Sequence, residues 1–525
     1  MRGLSYEPLT PTSFLRRSAA VFGPRLAVVD GDLELTYAEL SERVLRLSGA
    51  LAGIGVRPGD RVAVLAANGH LLLEATFGVP AAGAVMVPMN IRLSAGELAY
   101  ILDHAEVSVL LHDDALTGLA HAAAAETGVT AFGSGSGVVA GAIRLVSATE
   151  CEALLGTAEP RLEPVEDELA PLSINYTSGT TGRPKGVVYH HRGAYLQALA
   201  MALHTKLDAA SSYLWTLPMF HCHGWCFPWA VTLAGARHVC LPKVEPGPAW
   251  RLIRDHRVTH LCGAPTVLTS LLAHPDAPTG PLEPRLLACV GGAPPSPALL
   301  SRALQAGIDM IHLYGLTETY GPAVICQPQP EWRGLPVEES AALAARQGVG
   351  NVIAQPIRVV GEDGGDVPAD AATIGEIAVR GNDVMAGYHR DPAATAKAAP
   401  DGWFRTGDLG VVHPDGYVRL VDRAKDVIIS GGENIASVEV ENALVGHPGV
   451  QEAAVVARPD AHWGEVPVAY VSLAAGASVT EAELIEHVRA RLAHFKAPKA
   501  IHFGELPKTS TGKIQKNVLR ERLER

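Results

Sequence analysis

Short apolar segments alternate with longer helical patterns along the first part of the chain. Residues 61–66, 107–111 and 237–241 are apolar runs bounded by turn-forming or polar residues, which is typical of buried strands. Residues 36–51 and 94–103 carry the spacing of amphipathic helices. Strands that alternate with helices predict an α/β architecture with largely parallel sheets.

The pattern changes after about residue 370. A short strand is predicted at 374–380, and residues 411–418 predict a hairpin with a Pro-Asp-Gly turn. Residues 422–426 are charged and fall between apolar strands. We therefore predict a large domain, residues 1–421, that combines parallel-sheet α/β subdomains with a small β unit, and a small α+β domain at 422–525.

The small domain has a pattern of its own. It predicts a strand at 427–429, a helix at 437–444, strands at 452–456 and 468–472, and a helix at 481–492. Together these elements are enough for a small α+β domain with a core of its own.

Composition narrows the class of protein. The formal net charge of −12 does not favour a nucleic-acid partner. The seven cysteines are scattered and odd in number, which indicates reduced thiols and a cytoplasmic location. The most apolar stretch, residues 70–89, contains Glu74 and Pro80, so it predicts a buried helix followed by a strand and no membrane span.

The most informative segment runs from Tyr176 to Gly186. Its glycines let the backbone approach a ligand, its hydroxyls add donors, and its lysine adds positive charge, a combination that suits a polyphosphate. Pro184 stands where a Walker A loop needs its second glycine, so the segment is a different kind of phosphate loop. The residues expected to contact phosphate are Thr177, Ser178, Gly179, Thr180, Thr181, Gly182 and Lys185.

This loop resembles the signature loop of the adenylate-forming superfamily, which includes acyl-CoA synthetases, peptide-synthetase adenylation domains and luciferases. The resemblance covers about residues 36–516, and the remaining motifs follow in the expected order. These motifs are Gly291-Gly292-Ala293-Pro294, Tyr314-Gly315-Leu316-Thr317-Glu318-Thr319, Trp403-Phe404-Arg405-Thr406-Gly407-Asp408, Asp422-Arg423-Ala424-Lys425-Asp426, Ser430-Gly431-Gly432-Glu433-Asn434-Ile435 and Pro507-Lys508-Thr509-Ser510-Thr511-Gly512-Lys513.

The resemblance implies an ATP site with Mg²⁺. Glu318 and the hydroxyl of Thr177 would hold the metal ion, and Tyr314 would stack on the adenine. Asp408, a carboxylate expected in a glycine-flanked turn, would accept hydrogen bonds from the ribose hydroxyls. Lys513 would bridge the substrate carboxylate and the α-phosphate. The other residues implied in nucleotide binding are Gly292, Ala293, Pro294, Gly315, Thr317 and Arg423.

The resemblance also implies a moving small domain. Asp422 matches the hinge, and after adenylation the domain would swing and present a tunnel for the pantetheine arm of coenzyme A. Gly431 and Gly432 would line that tunnel, because a narrow channel needs residues without side chains.

Residues 218–226, Pro-Met-Phe-His-Cys-His-Gly-Trp-Cys, admit two interpretations. Two histidines and two cysteines suggest a metal site, but neighbours on an extended chain point to opposite sides and converge poorly. The segment instead resembles an acid-pocket motif of short-chain, medium-chain and benzoate-type acyl-CoA ligases, in which His221 would gate the pocket. His223 stands where that subgroup usually has Asn, so the identity of the acid stays open.

The pocket predicted on this basis is apolar, and several of its lining residues are small. It favours a medium-chain, aromatic or bulky natural-product acid, because no Arg or Lys is among the expected lining residues. Those residues are His221, Cys222, His223, Trp225, Cys262, Gly263, Ala264, Gly291, Gly315 and Pro322.

The sequence therefore predicts an AMP-forming acyl-CoA synthetase with ATP, Mg²⁺ and coenzyme A as its small-molecule partners. Three alternatives stay open at this point: acyl transfer to a carrier-protein thiol, an enzyme that performs one half-reaction only, and a non-catalytic nucleotide-binding protein. Intact Lys513, Glu318 and Asp408 argue against the last. Whether the protein is a homodimer also stays open.

Overall fold

The computed structural model describes residues 6–128, 130–132, 141–177, 183–295, 297–332, 334–431, 433–460, 462–474, 476–509 and 513–523. Its strands, in chain order, are β1 (Leu26–Asp30), β2 (Leu33–Thr36), β3 (Arg61–Leu65), β4 (Val85–Pro88), β5 (Val107–His112), β6 (Thr130–Phe132), β7 (Ala142–Ser147), β8 (Pro171–Tyr176), β9 (Gly186–His190), β10 (Ser212–Leu214), β11 (Arg237–Val239), β12 (His260–Gly263), β13 (Leu286–Val290), β14 (Ile308–Leu316), β15 (Gly321–Ile325), β16 (Val349–Gly350), β17 (Arg358–Val360), β18 (Gly375–Val379), β19 (Gly387–Tyr388), β20 (Phe404–Val412), β21 (Val418–Arg423), β22 (Ile428–Ser430), β23 (Glu433–Ile435), β24 (Val450–Asp460), β25 (Gly464–Leu473) and β26 (Ala500–Phe503).

The α-helices of the same residues are α1 (Thr12–Phe22), α2 (Tyr37–Gly53), α3 (His70–Ala81), α4 (Ala95–His104), α5 (Thr117–Glu126), α6 (Ala148–Thr157), α7 (His191–Thr205), α8 (Phe227–Ala234), α9 (Pro246–Asp255), α10 (Pro265–Ala273), α11 (Pro297–Gln305), α12 (Val337–Ala344), α13 (Pro392–Ala398), α14 (Ser437–Val445), α15 (Glu481–Arg489) and α16 (Lys516–Leu523). Within these residues, no helix is long and apolar enough to cross a membrane.

Two large sheets form the N-terminal part. One has the strand order β16-β15-β14-β13-β12-β10-β11-β1-β2, and the other has the order β19-β9-β8-β4-β3-β5-β7-β6. The inner strands of both sheets pair in parallel, whereas β2, β9, β15, β16 and β19 pair antiparallel towards the edges. The predicted α/β class is confirmed.

Two smaller sheets follow. The sheet β17-β18-β20-β21 is antiparallel, and a second sheet contains β22 to β26, with β26 parallel to β25. Helices α14 and α15 pack their buried residues, among them Val440 and Leu484, against this last sheet to form a separate small core. The chain passes from one sheet to the other between Arg423 and Ile428, and the boundary at Asp422 stays a prediction.

Helix α3 shows how the sequence determines packing. Each residue from Leu71 to Ala81 is buried, as expected for a helix that is apolar on all faces. Glu74 is the charged exception, and its carboxylate accepts hydrogen bonds from the guanidinium of Arg43 at 2.6 and 3.2 Å. This pairing lets a carboxylate lie in the core, and the predicted helix and following strand are confirmed.

Three local predictions are wrong. Asp408 lies within β20 and not in a turn, although Gly407 before it has φ 72°. The last predicted helix, 481–492, ends at Arg489. Residues 221–226 are not extended, because Cys222 through Cys226 all have positive φ and form a tight left-handed turn.

All seven cysteines are free and buried.

Candidate active site

A cavity of about 1540 Å³ lies where the carboxyl ends of β12, β13 and β14 face the small domain. Ligands of open parallel sheets bind at this end of the strands, because the loops there provide backbone and side-chain groups on a rigid support. The predicted residues that line it are Thr177, Lys185, His221, Cys222, Trp225, Gly263, Ala264, Gly291, Gly292, Ala293, Pro294, Gly315, Thr317, Glu318, Pro322, Asp408, Arg423 and Lys513.

The phosphate loop joins the antiparallel strands β8 and β9. The backbone N–H of Thr177 donates to the carbonyl oxygen of Lys185 at 3.0 Å, and the N–H of Lys185 donates to Thr177 Oγ1 at 3.2 Å. These two bonds close the base of the loop. Its interior, Ser178, Gly179, Thr180, Thr181 and Gly182, lies outside the described residues.

Glu318 occupies a short turn between β14 and β15. Thr319 Oγ1 donates to the carbonyl oxygen of Gly321 at 2.7 Å, which stabilises the turn. The hydroxyl of Tyr388 donates to Glu318 Oε1 at 2.8 Å, and Lys185 Nζ lies 4.5 Å from the centre of the Tyr388 ring. Tyr388 therefore connects the candidate metal ligand to the phosphate loop.

Asp408 is buried and connects two more predicted residues. The hydroxyl of Tyr314 donates to Asp408 Oδ2 at 2.7 Å, and Arg423 Nε lies 3.2 Å from Oδ1. The ring of Tyr314 packs on the core of the adjacent small sheet and is not part of the described cavity lining. Its stacking on adenine stays a prediction.

Lys513 reaches the cavity from a hairpin of the small domain. Its carbonyl oxygen accepts from the N–H of Thr509 at 2.7 Å, and its own N–H donates to Thr509 Oγ1 at 3.1 Å. The side chain is exposed to the cavity, but residues such as Arg423, Asp408 and Cys222 lie around it. Desolvation and the positive charge of Arg423 lower the pKa of the ammonium to about 8. Burial, together with the positive charge of Lys513, lowers the pKa of His221 to about 4, so that imidazole is neutral at pH 7.

In the left-handed turn at residues 221–226, some side chains face the cavity and others face the core. His221, Cys222 and Trp225 line the cavity. Burial raises the pKa of the Cys222 thiol to about 11, and its Sγ lies 3.5 Å from Thr317 Oγ1. His223 points the other way, with Nε2 at 2.9 Å from Thr76 Oγ1 of α3. The two histidines therefore do not converge, and the described residues contain no cluster of three or more His, Cys, Asp or Glu suited to a metal ion.

His223 and Cys262 were expected in the acid pocket, but the structure places both side chains in the core. Both are fully buried, and neither belongs to the described cavity lining. Cys262 lies in β12 directly opposite Cys289 of β13, so its side chain faces the interior of the sheet packing. The next residue, Gly263, has the opposite orientation that alternation along a strand requires, and it does line the cavity.

Trp225 fills space that two glycines leave free. A Cβ at Gly291 would lie 2.8 Å from Cη2 of Trp225, and a Cβ at Gly321 would lie 3.0 Å from its Cδ1. A larger residue at either position would displace the indole, and at Gly291 it would also lie 2.8 Å from the carbonyl oxygen of Leu313. Gly321 was not among the predicted residues, because its importance depends on a partner almost a hundred positions away.

Two groups of predicted residues lie outside the cavity wall. Asp422 Oδ2 accepts hydrogen bonds from the N–H and hydroxyl of Ser437 at 2.5 and 2.6 Å, at the start of α14. Gly431 has φ 61° and donates its N–H to the carbonyl oxygen of Trp463 at 2.7 Å. Gly432 lies outside the described residues. Among the described residues, the structure therefore brings most of the predicted adenylation residues to one cavity, whereas Gly431 is not part of its lining.

Comparison with known sequences identifies the family. A family model for AMP-binding enzymes matches residues 15–389, and one for the C-terminal domain of AMP-binding enzymes matches residues 439–513. The chain is 42% identical to a peroxisomal acetate/butyrate–CoA ligase of Arabidopsis thaliana, over 98% of the chain and 95% of that protein. It is also 42% identical to 4-hydroxybutyrate–CoA ligase 2 of Metallosphaera sedula, over 99% and 95%, and to a 2-methylpropanoate–CoA ligase of Humulus lupulus, over 99% and 96%.

Solved structures of similar fold lead to the same family. ATP-bound MatB from Rhodopseudomonas palustris is similar with a TM-score of 0.84 and 29% identity, over 97% of this chain and 98% of that one. O-succinylbenzoate coenzyme A synthetase from Bacillus subtilis, in complex with ATP and magnesium ion, is similar with a TM-score of 0.82 and 28% identity, over 98% and 99%. With the motifs, the cavity and the fold in agreement, the chain belongs to the AMP-binding enzyme family, as an AMP-forming acyl-CoA ligase.

Proposed function

We propose that this ligase activates a short, apolar monocarboxylic acid, in the size range from acetate to butyrate and 2-methylpropanoate. The observation that carries the proposal is the position of Trp225. Its indole occupies the space beside Gly291 and Gly321, so the small residues there do not open a deep pocket. The proposed acids are smaller than the medium-chain, aromatic or bulky acids expected from the small pocket residues.

Relatives support the same size range. The names of three proteins at 42% identity refer to acetate or butyrate, 4-hydroxybutyrate and 2-methylpropanoate. Trp225 faces Gly291 and Gly321, which have no side chains, so this part of the site offers no partner for a second carboxylate. A buried unpaired charge would be costly there.

In the adenylation step, the acid's carboxylate would attack the α-phosphate of ATP and pyrophosphate would leave. Both reactants are anionic, so the residues act mainly by positioning and by neutralising charge. Lys513 reaches the same cavity as Glu318 and Asp408, which supports its role between the carboxylate and the α-phosphate. Lys185 and the rest of the loop would hold the outer phosphates, and Asp408 with Arg423 would hold the ribose.

The site fits a magnesium ion bound largely through ATP. Mg²⁺ in nucleotide sites uses one or two carboxylates together with phosphate oxygens and water. Glu318 supplies one such carboxylate, its orientation is fixed by Tyr388, and the Thr177 hydroxyl lies on the same cavity. When bound, the ion would neutralise charge on the phosphates.

The thiol of coenzyme A would attack the acyl-adenylate in the second step and release AMP. Lys513 lies in the cavity, so the structure corresponds to the arrangement expected for adenylation. We infer that the small domain then turns about Asp422 and brings the face with Gly431 to the cavity. The Asp422–Ser437 hydrogen bonds would change in that movement. A cytoplasmic location and the state of association stay predictions.

A panel of acids tests the substrate proposal. The purified protein is mixed with ATP, Mg²⁺, coenzyme A and acetate, propanoate, butyrate, 2-methylpropanoate, hexanoate, octanoate or benzoate, and acyl-CoA and AMP are quantified by mass spectrometry. We expect kcat/KM to be highest at or below butyrate and to fall at least about tenfold at hexanoate, because one misfitting methylene costs about tenfold or more in a closed pocket. Octanoate or benzoate exceeding butyrate would contradict the proposal.

A further inference from the structure

The turn at residues 221–226 holds an unfavourable backbone conformation. Cys222, His223, Trp225 and Cys226 are not glycines, yet they have φ between 39 and 65°. Such residues rarely adopt the left-handed region, and they persist there only when surrounding contacts fix them. The turn carries His221 and Trp225 into the cavity, so whatever fixes the turn also fixes these two side chains.

One hydrogen bond ties the middle of this turn to another part of the fold. His223 Nε2 lies 2.9 Å from Oγ1 of Thr76, which belongs to the fully buried helix α3. The turn leads into α8, which contacts β11 of the nine-stranded sheet. The bond therefore connects the acid-binding turn to a helix that packs beside the eight-stranded sheet.

The direction of this hydrogen bond follows from the partners of Thr76. The Thr76 hydroxyl donates to the carbonyl oxygen of Leu72 at 2.9 Å, so its single proton is already used. Oγ1 therefore accepts from His223, and the imidazole carries its proton on Nε2. Nδ1 has no hydrogen-bond partner within the described residues, and the ring contacts Trp229 edge-on with centroids 4.7 Å apart.

We propose that His223 is a positioning residue for acid binding: through its hydrogen bond to Thr76 it holds the left-handed turn so that His221 and Trp225 keep their places in the acid site. His223 contacts neither ATP nor the acid in this proposal. Loss of the bond lets the turn relax, which displaces the Trp225 wall and weakens acid binding. The nucleotide residues lie on other elements: Thr317 contacts the turn through Cys222 Sγ at 3.5 Å, whereas Glu318 and Asp408 are held by the hydroxyls of Tyr388 and Tyr314 and should keep their positions.

Thr76→Val tests this with little change of shape. Valine keeps the volume of threonine and removes the acceptor. Thr205→Val is the matched control, because Thr205 is also fully buried in a helix and also donates to the carbonyl oxygen four residues before it, at 2.6 Å to Met201. We expect Thr76→Val to raise the KM for the acid about tenfold, the scale of one lost buried hydrogen bond, and to leave the KM for ATP within about twofold.

Pyrophosphate exchange measures both KM values in the adenylation step alone. The proposal is overturned if Thr76→Val behaves like Thr205→Val, or if the KM values for acid and ATP rise together. The assay uses whichever acid the unaltered protein prefers, so the result does not depend on that acid being short, although the role assigned to Trp225 rests on the proposed function.

His223→Asn gives a second, independent test. Asparagine accepts a left-handed backbone, but its amide is too short to reach Thr76 from the same position. We expect the same selective rise in the acid KM. The double variant with Thr76→Val should be no worse than the more impaired of the two single variants, because both substitutions remove the same hydrogen bond. Additive effects would show that the two residues act separately and would overturn the proposal.

Discussion

The phosphate side and the acid side of the cavity are built by different means. Lys185, Glu318 and Asp408 are fixed by hydrogen bonds and ring contacts from residues such as Tyr388 and Tyr314. On the acid side, the indole of Trp225 is fixed by close packing against glycines. In the proposed function, the first set would act on the ATP groups that every reaction of this enzyme shares, and the second would act on the part of the substrate that differs between acids. Changes on the phosphate side should therefore affect all acids alike, and changes on the acid side should reorder them.

The largest expected effect is that of Lys513→Ala. Without the ammonium, adenylation should fall about 10²–10³-fold or more for each acid tested, because a fixed charge at the reacting groups is lost. Conversion of supplied acyl-adenylate to thioester should continue at nearly the original rate. Lys496→Ala is the control, since Lys496 pairs with Glu439 on the same domain at 2.6 Å and is not part of the described cavity lining. Equal loss of both half-reactions would refute this division.

Trp225→Ala should reorder the acids. Removal of the indole opens the space beside Gly291 and Gly321, so the ratio of kcat/KM for hexanoate over butyrate should rise about 10–100-fold. The KM for ATP serves as the internal control and should stay within about twofold. A uniform loss for all acids would mean that Trp225 supports the fold of the site without selecting the acid.

The rate of adenylation should fall as pH rises through about 8. The pKa of Lys513 is lowered to about 8, so the ammonium is charged below that pH and loses its charge above it. Once deprotonation controls the rate, each further pH unit should cost about tenfold, for every acid alike. Lys513→Arg should lack this alkaline decline, because a guanidinium stays charged. A decline that persists in Lys513→Arg belongs to another group.

The smallest effect is expected for Tyr388→Phe. Loss of the hydroxyl leaves Glu318 Oε1 without its 2.8 Å donor, so the carboxylate is less well oriented for the metal ion. The Mg²⁺ concentration for half-maximal rate should rise about three- to tenfold, independently of the acid. Tyr195→Phe is the control, because Tyr195 stacks on Phe14 and is not part of the described cavity lining. An unchanged Mg²⁺ requirement would remove Tyr388 from this role.

Contiguous features were predictable from the sequence. The phosphate loop is one run of residues whose composition indicates its ligand, and helix α3 is apolar on every face and therefore buried. The resemblance to adenylate-forming enzymes placed Lys513, Glu318 and Asp408, which come from separate elements and meet at one cavity.

Features that depend on distant packing were not predictable. The role of Tyr388 depends on its hydrogen bond to Glu318, seventy positions earlier, and the role of Gly321 depends on Trp225, almost a hundred positions earlier. Residues 221–226 carry side chains with no preference for positive φ, so an extended chain was the natural expectation. The turn leaves His221 at the cavity, as expected, and directs His223, which was also expected there, towards α3.

The burial of all seven cysteines makes the chain a suitable background for spectroscopic labels. Thiol-reactive dyes act on exposed thiolates, so an introduced surface cysteine should react well before the native ones. Val352 on the large domain is 58% exposed and Phe503 on the small domain is 43% exposed. With a donor dye at Val352→Cys and an acceptor at Phe503→Cys, single-molecule fluorescence would report the proposed rotation of the small domain as a change in distance during turnover.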